Sequence, residues 1–266
     1  MKDQGALDVL VEAARVGDRI FKAADGWRDG RVRTKSNSAD LVTEVDLRVQ
    51  AAVTEFLGPR VPGTRIVAEE AGVPIAGPDS IYLDPLDGTL NFVHGLSEHC
   101  ISIGYWSGNR PAAGVVLKPS TGDLFTAQVG SGARRNGASI HVSTRNSVRH
   151  ALFATGWPYD KSLADHVLLQ MHGLIGQCQE IRILGSSALA MCYVASGVLD
   201  GFWEMGLKPW DLAAGTVIAL EAGATVTAHD GEPFRLEIGA VLASNGHVHE
   251  SLTKILSNPC GLREAP

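Results

Sequence analysis

Ile81-Tyr82-Leu83-Asp84-Pro85-Leu86-Asp87-Gly88-Thr89 is an apolar run that ends in two carboxylates spaced around a proline and stops at a glycine. Ile81, Tyr82 and Leu83 read as a strand that delivers Asp84, and Pro85 sets φ at the next position of a tight turn. That turn can bring Asp87 and the backbone carbonyl of Leu86 to the same side as Asp84. Such an oxygen cluster suits a hard divalent cation such as Mg²⁺, which takes oxygen ligands at about 2.0 to 2.1 Å. Asp-Pro and Asp-Gly are also ordinary turn dipeptides, so a pair of caps for the next segment is the competing reading.

On the N-terminal side, residues 7 to 21 place Leu7, Leu10, Val11, Ala14 and Phe21 on one helical face, with Asp8, Glu12, Arg15 and Arg19 opposite. A second amphipathic helix runs from about Val45 to Leu57, where Gly58-Pro59 stops it. The polar stretch 26–40 between them reads as a mobile loop, basic through Arg28, Arg31, Arg33 and Lys35. From Arg65 to Val142 short β runs follow one another, punctuated by turn signals at 119–123 and at Asn136-Gly137. Beyond about residue 150 strands and helices alternate, including helices near 163–175, 186–197, 211–222 and 247–256. This order predicts an α+β or α/β architecture with two sheet-containing halves, 1–148 and 149–266, packed as one unit.

The chain of 266 residues carries 23 Lys and Arg against 29 Asp and Glu, a formal net charge of −6, and is 45% hydrophobic. That composition excludes disorder as a description of the whole and argues against general nucleic-acid binding. Ile183 to Leu199 is uncharged but too short and too rich in serine and glycine for a spanning helix, so a buried helix is expected there and no membrane association. Asp3, Asp8, Glu12 and Asp18 interrupt the apolar stretch that a secretory signal requires. Cys100, Cys178, Cys192 and Cys260 form no paired motif, which fits reduced thiols in the cytoplasm.

Two further carboxylate sites sit where elements begin or end. Arg65-Ile66-Val67-Ala68 leads into Glu69-Glu70, and Asp211 opens an apolar helix in Trp210-Asp211-Leu212-Ala213-Ala214-Gly215. Aspartate at a helix start is favourable without any ligand, and paired glutamates after a strand are usually solvated. Thr43-x-x-Asp46 likewise reads as a capping pair. The chain has no GxxxxGK[ST] loop, GxGxxG, GxSxG or HExxH. Ser251-Leu252-Thr253-Lys254 lacks companion motifs, His247-Val248-His249 reads as a solvated helix start, and Trp157-Pro158-Tyr159-Asp160 borders either a substrate or a dimer surface.

Taken together these segments resemble the inositol monophosphatase family of Mg²⁺-dependent, lithium-sensitive phosphatases. The resemblance is carried by Asp40-Leu41-Val42-Thr43-Glu44-Val45-Asp46, Ala68-Glu69-Glu70, Asp84 through Gly95, and Trp210 through Gly215, in family order. Gly185-Ser186-Ser187-Ala188 and Glu204-Met205-Gly206 are also in place. The resemblance implies a layered αβαβα sandwich, usually a homodimer. It implies two or three Mg²⁺ ions held by Glu69, Asp84, the Leu86 carbonyl, Asp87 and Asp211, with Lys35 near them. Thr89, helped by Asp46, would orient and deprotonate the attacking water, and the Gly88 and Thr89 amides would meet the phosphate.

The alcohol would meet Gly185, Ser186, Ser187, Ala188 and Glu204. A glutamate seven residues before the tryptophan-motif aspartate implies a polyol, and so hydrolysis of myo-inositol monophosphate. Ala68, Leu90 and Ser187 depart from the commoner family residues, and Ser187 adds a hydroxyl beside the expected alcohol. Related phosphatases act on fructose 1,6-bisphosphate, histidinol phosphate or 3'-phosphoadenosine 5'-phosphate, and a basic pocket, with Lys208 a contributor, would favour a second phosphate. A regulatory protein associated with transcription machinery is the reading from another class.

Overall fold

The computed structural model describes residues 5–23, 32–35, 40–71 and 77–259. Helices α1 (Ala6–Ala23) and α2 (Glu44–Leu57) are separated by a ribbon of β1 (Val32–Thr34) and β2 (Leu41–Thr43). Next come β3 (Arg65–Ala68), β4 (Asp79–Asp87), the short α3 (Thr89–Val93), β5 (Cys100–Ser107), β6 (Arg110–Lys118), β7 (Asp123–Gln128), β8 (Ala133–Arg135) and β9 (Ala138–Ile140). The remainder is β10 (Leu152–Thr155), α4 (Ala164–Ile175), β11 (Glu180–Ile183), α5 (Ser187–Ala195), β12 (Gly201–Met205), α6 (Pro209–Glu221), β13 (Thr225–Thr227), β14 (Ala240–Ser244) and α7 (His249–Ser257).

β3 to β9 form a seven-stranded sheet in sequence order, antiparallel except for the β3–β4 pair. The second sheet has five strands in the order β11-β10-β12-β14-β13. Helices α1 and α2 cover the outer face of the first sheet, α5 and α6 lie between the sheets, and α4 and α7 cover the far face of the second. This is the α+β, αβαβα sandwich. Side-chain alternation along the strands produces it. On β5, Ile101, Ile103 and Tyr105 enter the core under α1 and α2, while Ser102 and Trp106 donate hydrogen bonds to the Trp210 and Ala213 carbonyls at 3.4 and 3.1 Å. On β12, Phe202 faces the α5–α6 layer and Trp203 faces α7.

Helix α6 is buried from Trp210 through Ala219, as expected of a helix apolar on all sides. Its backbone rests on the first sheet because two glycines, Gly104 of β5 and Gly114 of β6, stand opposite each other in register. A β-carbon on Gly104 would lie 2.6 Å from Ala213 C and Ala214 N, and one on Gly114 would lie 2.6 Å from the Ala214 carbonyl oxygen.

Three sequence expectations change. The 26–40 stretch is not all loop, since Val32–Thr34 pairs with Leu41–Thr43; Arg28 and Arg31 lie outside the described residues. His249 is not a solvated helix start, because its ring bonds to Thr227 Oγ1 at 3.0 Å and Ser244 Oγ at 2.9 Å, tying α7 to β13 and β14. The β run at 139–142 ends at Ile140 and is preceded by the separate strand β8. Cys100, Cys178 and Cys192 are free thiols, Cys260 is outside the described residues, and no described helix is long and apolar enough to cross a membrane.

Overpacking at the glycine pair is expected to cost about 1–3 kcal/mol. Gly104→Ala should therefore lower the thermal midpoint by roughly 2–12 °C. Gly58→Ala, with no atom within 4 Å of the added carbon, should not, and thermal denaturation of both variants checks the pair.

Candidate active site

Strand β4 is buried along nearly its whole length and ends in the acidic turn. Pro85 has no N–H to contribute to the ladder, and the register with β5 shifts between Asp84 and Asp87. The Leu86 N–H donates to Asp84 Oδ1 at 2.9 Å. Gly88 then turns the chain with φ of +92°, where a β-carbon would strike the Glu98 carbonyl oxygen at 2.7 Å, and α3 begins at Thr89. The parallel register of Ala68 with Leu83 brings Glu69, just past β3, beside Asp84.

Asp46 has two tasks. It closes the capping box of α2, accepting the Thr43 N–H at 2.8 Å and also bonding the Thr43 hydroxyl through Oδ2. Its other oxygen, Oδ1, lies 3.1 Å from Thr89 Oγ1, which is 2.9 Å from the Leu86 carbonyl oxygen. Burial pushes Asp46 up to about 6 against the opposing pull of the Thr43 hydrogen bonds.

The inter-sheet helices supply the rest. The Ser186 hydroxyl and the Ala188 N–H donate to Asp87 Oδ2 at 2.6 and 2.8 Å. Asp211 caps the start of α6, its Oδ2 accepting the Lys208 N–H at 2.7 Å. Glu204 on β12 accepts the Ser187 hydroxyl at 2.9 Å and is pushed up to about 8, by burial first, with that hydrogen bond opposing. It lies over Gly156, where a β-carbon would sit 2.1 Å from Oε1.

Burial raises Asp84, Asp87, Asp211 and Glu69 above the ordinary carboxylate range. For Asp84 the neighbouring charges of Glu69, Asp87 and Asp211 push further in the same direction. The nearby Lys35 ammonium donates to Glu69 at 2.7 Å and also to Glu70. Burial lowers its pKa, and the two glutamates more than offset that, so it holds its proton.

All of these donors are hard oxygens, and their accumulated negative charge fits a divalent cation in chemistry. Among the described residues no three acidic, histidine or cysteine side chains stand in position to hold one ion. Instead Asp87, Asp211 and Glu69 each engage a protein donor. Beside them opens a cavity of about 280 Å³ between the two sheets, reaching Asp87, Thr89, Glu204 and Asp211.

The model of the inositol monophosphatase family matches residues 3–259. The chain belongs to that family. Members are phosphatases. An inositol-1-monophosphatase of Synechocystis sp. is 40% identical over 256 residues, covering 94% of this chain and 88% of the relative. A Nus factor SuhB of Haemophilus influenzae is 37% identical, covering 96% of each chain. The crystal structure of the extragenic suppressor protein suhB from Bartonella henselae superposes with a TM-score of 0.90 at 31% identity, covering 97% of this chain and all of that one.

Of the residues singled out from the sequence of this inositol monophosphatase family member, Asp87, Gly88, Thr89, Gly185, Ser187, Glu204 and Asp211 line the cavity. Ser186 and Ala188 are not in that lining: they hold Asp87. Asp46, Glu69, Asp84 and Leu86 stand outside the lining as well, linked to it through Thr89 and the acidic turn. Lys208 is also outside it, and Lys161, which sequence reasoning passed over, lines the cavity instead. Asn91 was missed too, although its Nδ2 donates to the Glu98 and Leu184 carbonyls at 2.6 and 2.7 Å and so ties the two halves together. The one sequence signal for it was its place inside the acidic motif.

A raised native-state pKa means that ionised Asp84 destabilises the fold once the pH exceeds the unfolded value, about 3.9. In chelator, Asp84→Asn should therefore be more stable than the wild type by roughly 1–3 kcal/mol at neutral pH. The gain should shrink toward pH 4, where the unfolded carboxyl also takes up a proton. Denaturant melts across that range test the sign, and an unchanged or lower midpoint would contradict a mutually repelling cluster.

Proposed function

We propose that this protein is a Mg²⁺-dependent phosphoric monoester hydrolase that converts myo-inositol monophosphate to inositol and inorganic phosphate. The observation that carries the reading is the Thr89 hydroxyl, set between Asp46 Oδ1 and the Leu86 carbonyl at the edge of a buried acidic cluster. Glu69, Asp84, the Leu86 carbonyl, Asp87 and Asp211 are the residues that would hold two or three Mg²⁺ ions. A cation held by them would supply charge neutralisation for the phosphoryl group and would lower the pKa of water toward neutrality.

The chain's own groups supply orientation and proton handling. Thr89 orients the attacking water, and Asp46, with its pKa of about 6, is the acceptor behind the Thr89 hydroxyl. The backbone amides of Gly88 and Thr89 bind phosphate oxygens. Ser186 and Ala188 keep the Asp87 carboxylate aimed, which limits reorganisation when charge develops. Glu204 and Ser187 hold hydroxyl groups of the alcohol, and Lys35 balances charge at Glu69 and Glu70.

We further assign the protein to the cytoplasm, as a homodimer inhibited by lithium. Supporting the dimer, Leu168, Leu169 and Ile175 of α4 are exposed. A second role beside transcription machinery draws support from the relatives named Nus factor SuhB. A pull-down that survives Asp84→Asn would separate that role from turnover.

The deciding assay is phosphate release with and without Mg²⁺ from myo-inositol 1-phosphate, fructose 1,6-bisphosphate, histidinol phosphate and 3'-phosphoadenosine 5'-phosphate. The inositol ester should have the highest kcat/KM. Thr89→Ala and Asp46→Asn should each lower kcat by about 10²–10⁴. Glu204→Ala should raise KM about tenfold with a smaller change in kcat. Preference for another ester would move the substrate assignment, and no release from any ester would sink the hydrolase reading.

A further inference from the structure

Among the described residues, the side chains lining the cavity include three carboxylates, Asp87, Glu204 and Asp211, and a single cation, Lys161. Lys161 reaches the cavity from the segment that follows β10. Gly156 leaves that strand directly under the Glu204 carboxyl, and a few residues on Lys161 opens one turn of 3₁₀ helix, Lys161–Leu163. Asp160 caps the turn, its Oδ1 accepting the Ser162 N–H at 2.9 Å. The Lys161 side chain folds back over it and donates from Nζ to the Pro158 carbonyl at 3.1 Å. The cap and this bond hold the ammonium at the cavity wall, on the same stretch of chain that meets Glu204. An ammonium has three N–H donors, and no other described residue takes one from Lys161, so two remain for a ligand.

A ring hydroxyl donates one hydrogen and accepts through its lone pairs. Carboxyl oxygens can take its hydrogen, but donors to its lone pairs are fewer. Asn91 spends its Nδ2 hydrogens on the Glu98 and Leu184 carbonyls, and Ser187 gives its one to Glu204. Thr89, Trp157 and Tyr159 bring one hydrogen each. Lys161 brings two and a full charge behind them, and a charge-assisted hydrogen bond is about twice as strong as a neutral one.

We propose that Lys161 is a specificity-determining residue that donates hydrogen bonds to hydroxyl oxygens of the leaving alcohol, so that Lys161 and Glu204 together read a polyhydroxylated ring. The inference rests on the hydrolase reading above and names a group that selects its polyol substrate. No chemical step changes: the ester P–O bond breaks, water supplies the new oxygen on phosphorus, and the alcohol leaves with a proton. Lys161 holds the alcohol before and during that step alike, so its effect falls on KM.

The test compares myo-inositol 1-phosphate with cyclohexyl phosphate, the same carbon ring without free hydroxyls, on the full-length protein with Mg²⁺. The wild type should favour the inositol ester in kcat/KM. Lys161→Met keeps the length of the side chain and removes its donors. It should lower the inositol-to-cyclohexyl ratio about fivefold or more, chiefly through KM for the inositol ester, and Lys161→Arg should restore most of it. If cyclohexyl phosphate binds without turnover, its Ki as a competitive inhibitor, set against KM for the inositol ester, gives the same comparison. A ratio that stays within about twofold of wild type in Lys161→Met overturns the proposal. Equal losses for both esters would put Lys161 at the phosphate, and no loss for either would make it a solvated surface cation. Wild type with no preference for the inositol ester overturns it as well. Release from neither ester, nor from the other esters named above, would remove the hydrolase reading and the inference with it.

Discussion

Asp87 is held from the helical layer between the two sheets. Its carboxylate ends β4 in the first sheet, and the donors that bind it, the Ser186 hydroxyl and the Ala188 N–H, belong to the first turn of α5 between the sheets. A carboxylate at a helix start is favourable, and a buried one without donors would cost several kcal/mol. The contact therefore fixes how α5 meets the first sheet. Ser187, the next residue, reaches Glu204 on the second sheet, so one short segment sets both sides of the cavity.

A second constraint acts on the opposite wall. Asp211 sits at the start of a helix whose backbone lies on the Gly104–Gly114 pair. Interior packing is too dense for such a helix to slide without displacing strands. The acidic groups, which repel one another, are held together by rigid elements that are individually well satisfied.

The local part of this arrangement was legible in the sequence. The β4 strand and its acidic turn, the capping pair Thr43 and Asp46, and the helix opened by Asp211 are each written in a few consecutive residues. The sequence offered capping and catalysis as rival readings of Asp46; in the structure one of its oxygens closes the capping box and the other meets the Thr89 hydroxyl. What could not be read depends on register between distant strands. Gly104 and Gly114 look like ordinary strand glycines until they stand opposite each other under α6. Gly156 is unremarked until Glu204 arrives above it from a strand far along the chain, and Trp157 and Tyr159 come to line the cavity only once β10 has its neighbours.

The double use of Asp46 makes helix α2 a participant in the proton inventory of the cavity. The carboxylate that stands behind Thr89 is also the acceptor that ties down the first turn of a fourteen-residue helix. A proton taken up at Asp46 weakens it as an acceptor for the Thr43 N–H, so an event beside Thr89 is felt as fraying at the helix end. A change of charge at this position is thus felt at the Thr89 hydroxyl and at the start of α2 at once, through a single pair of oxygens.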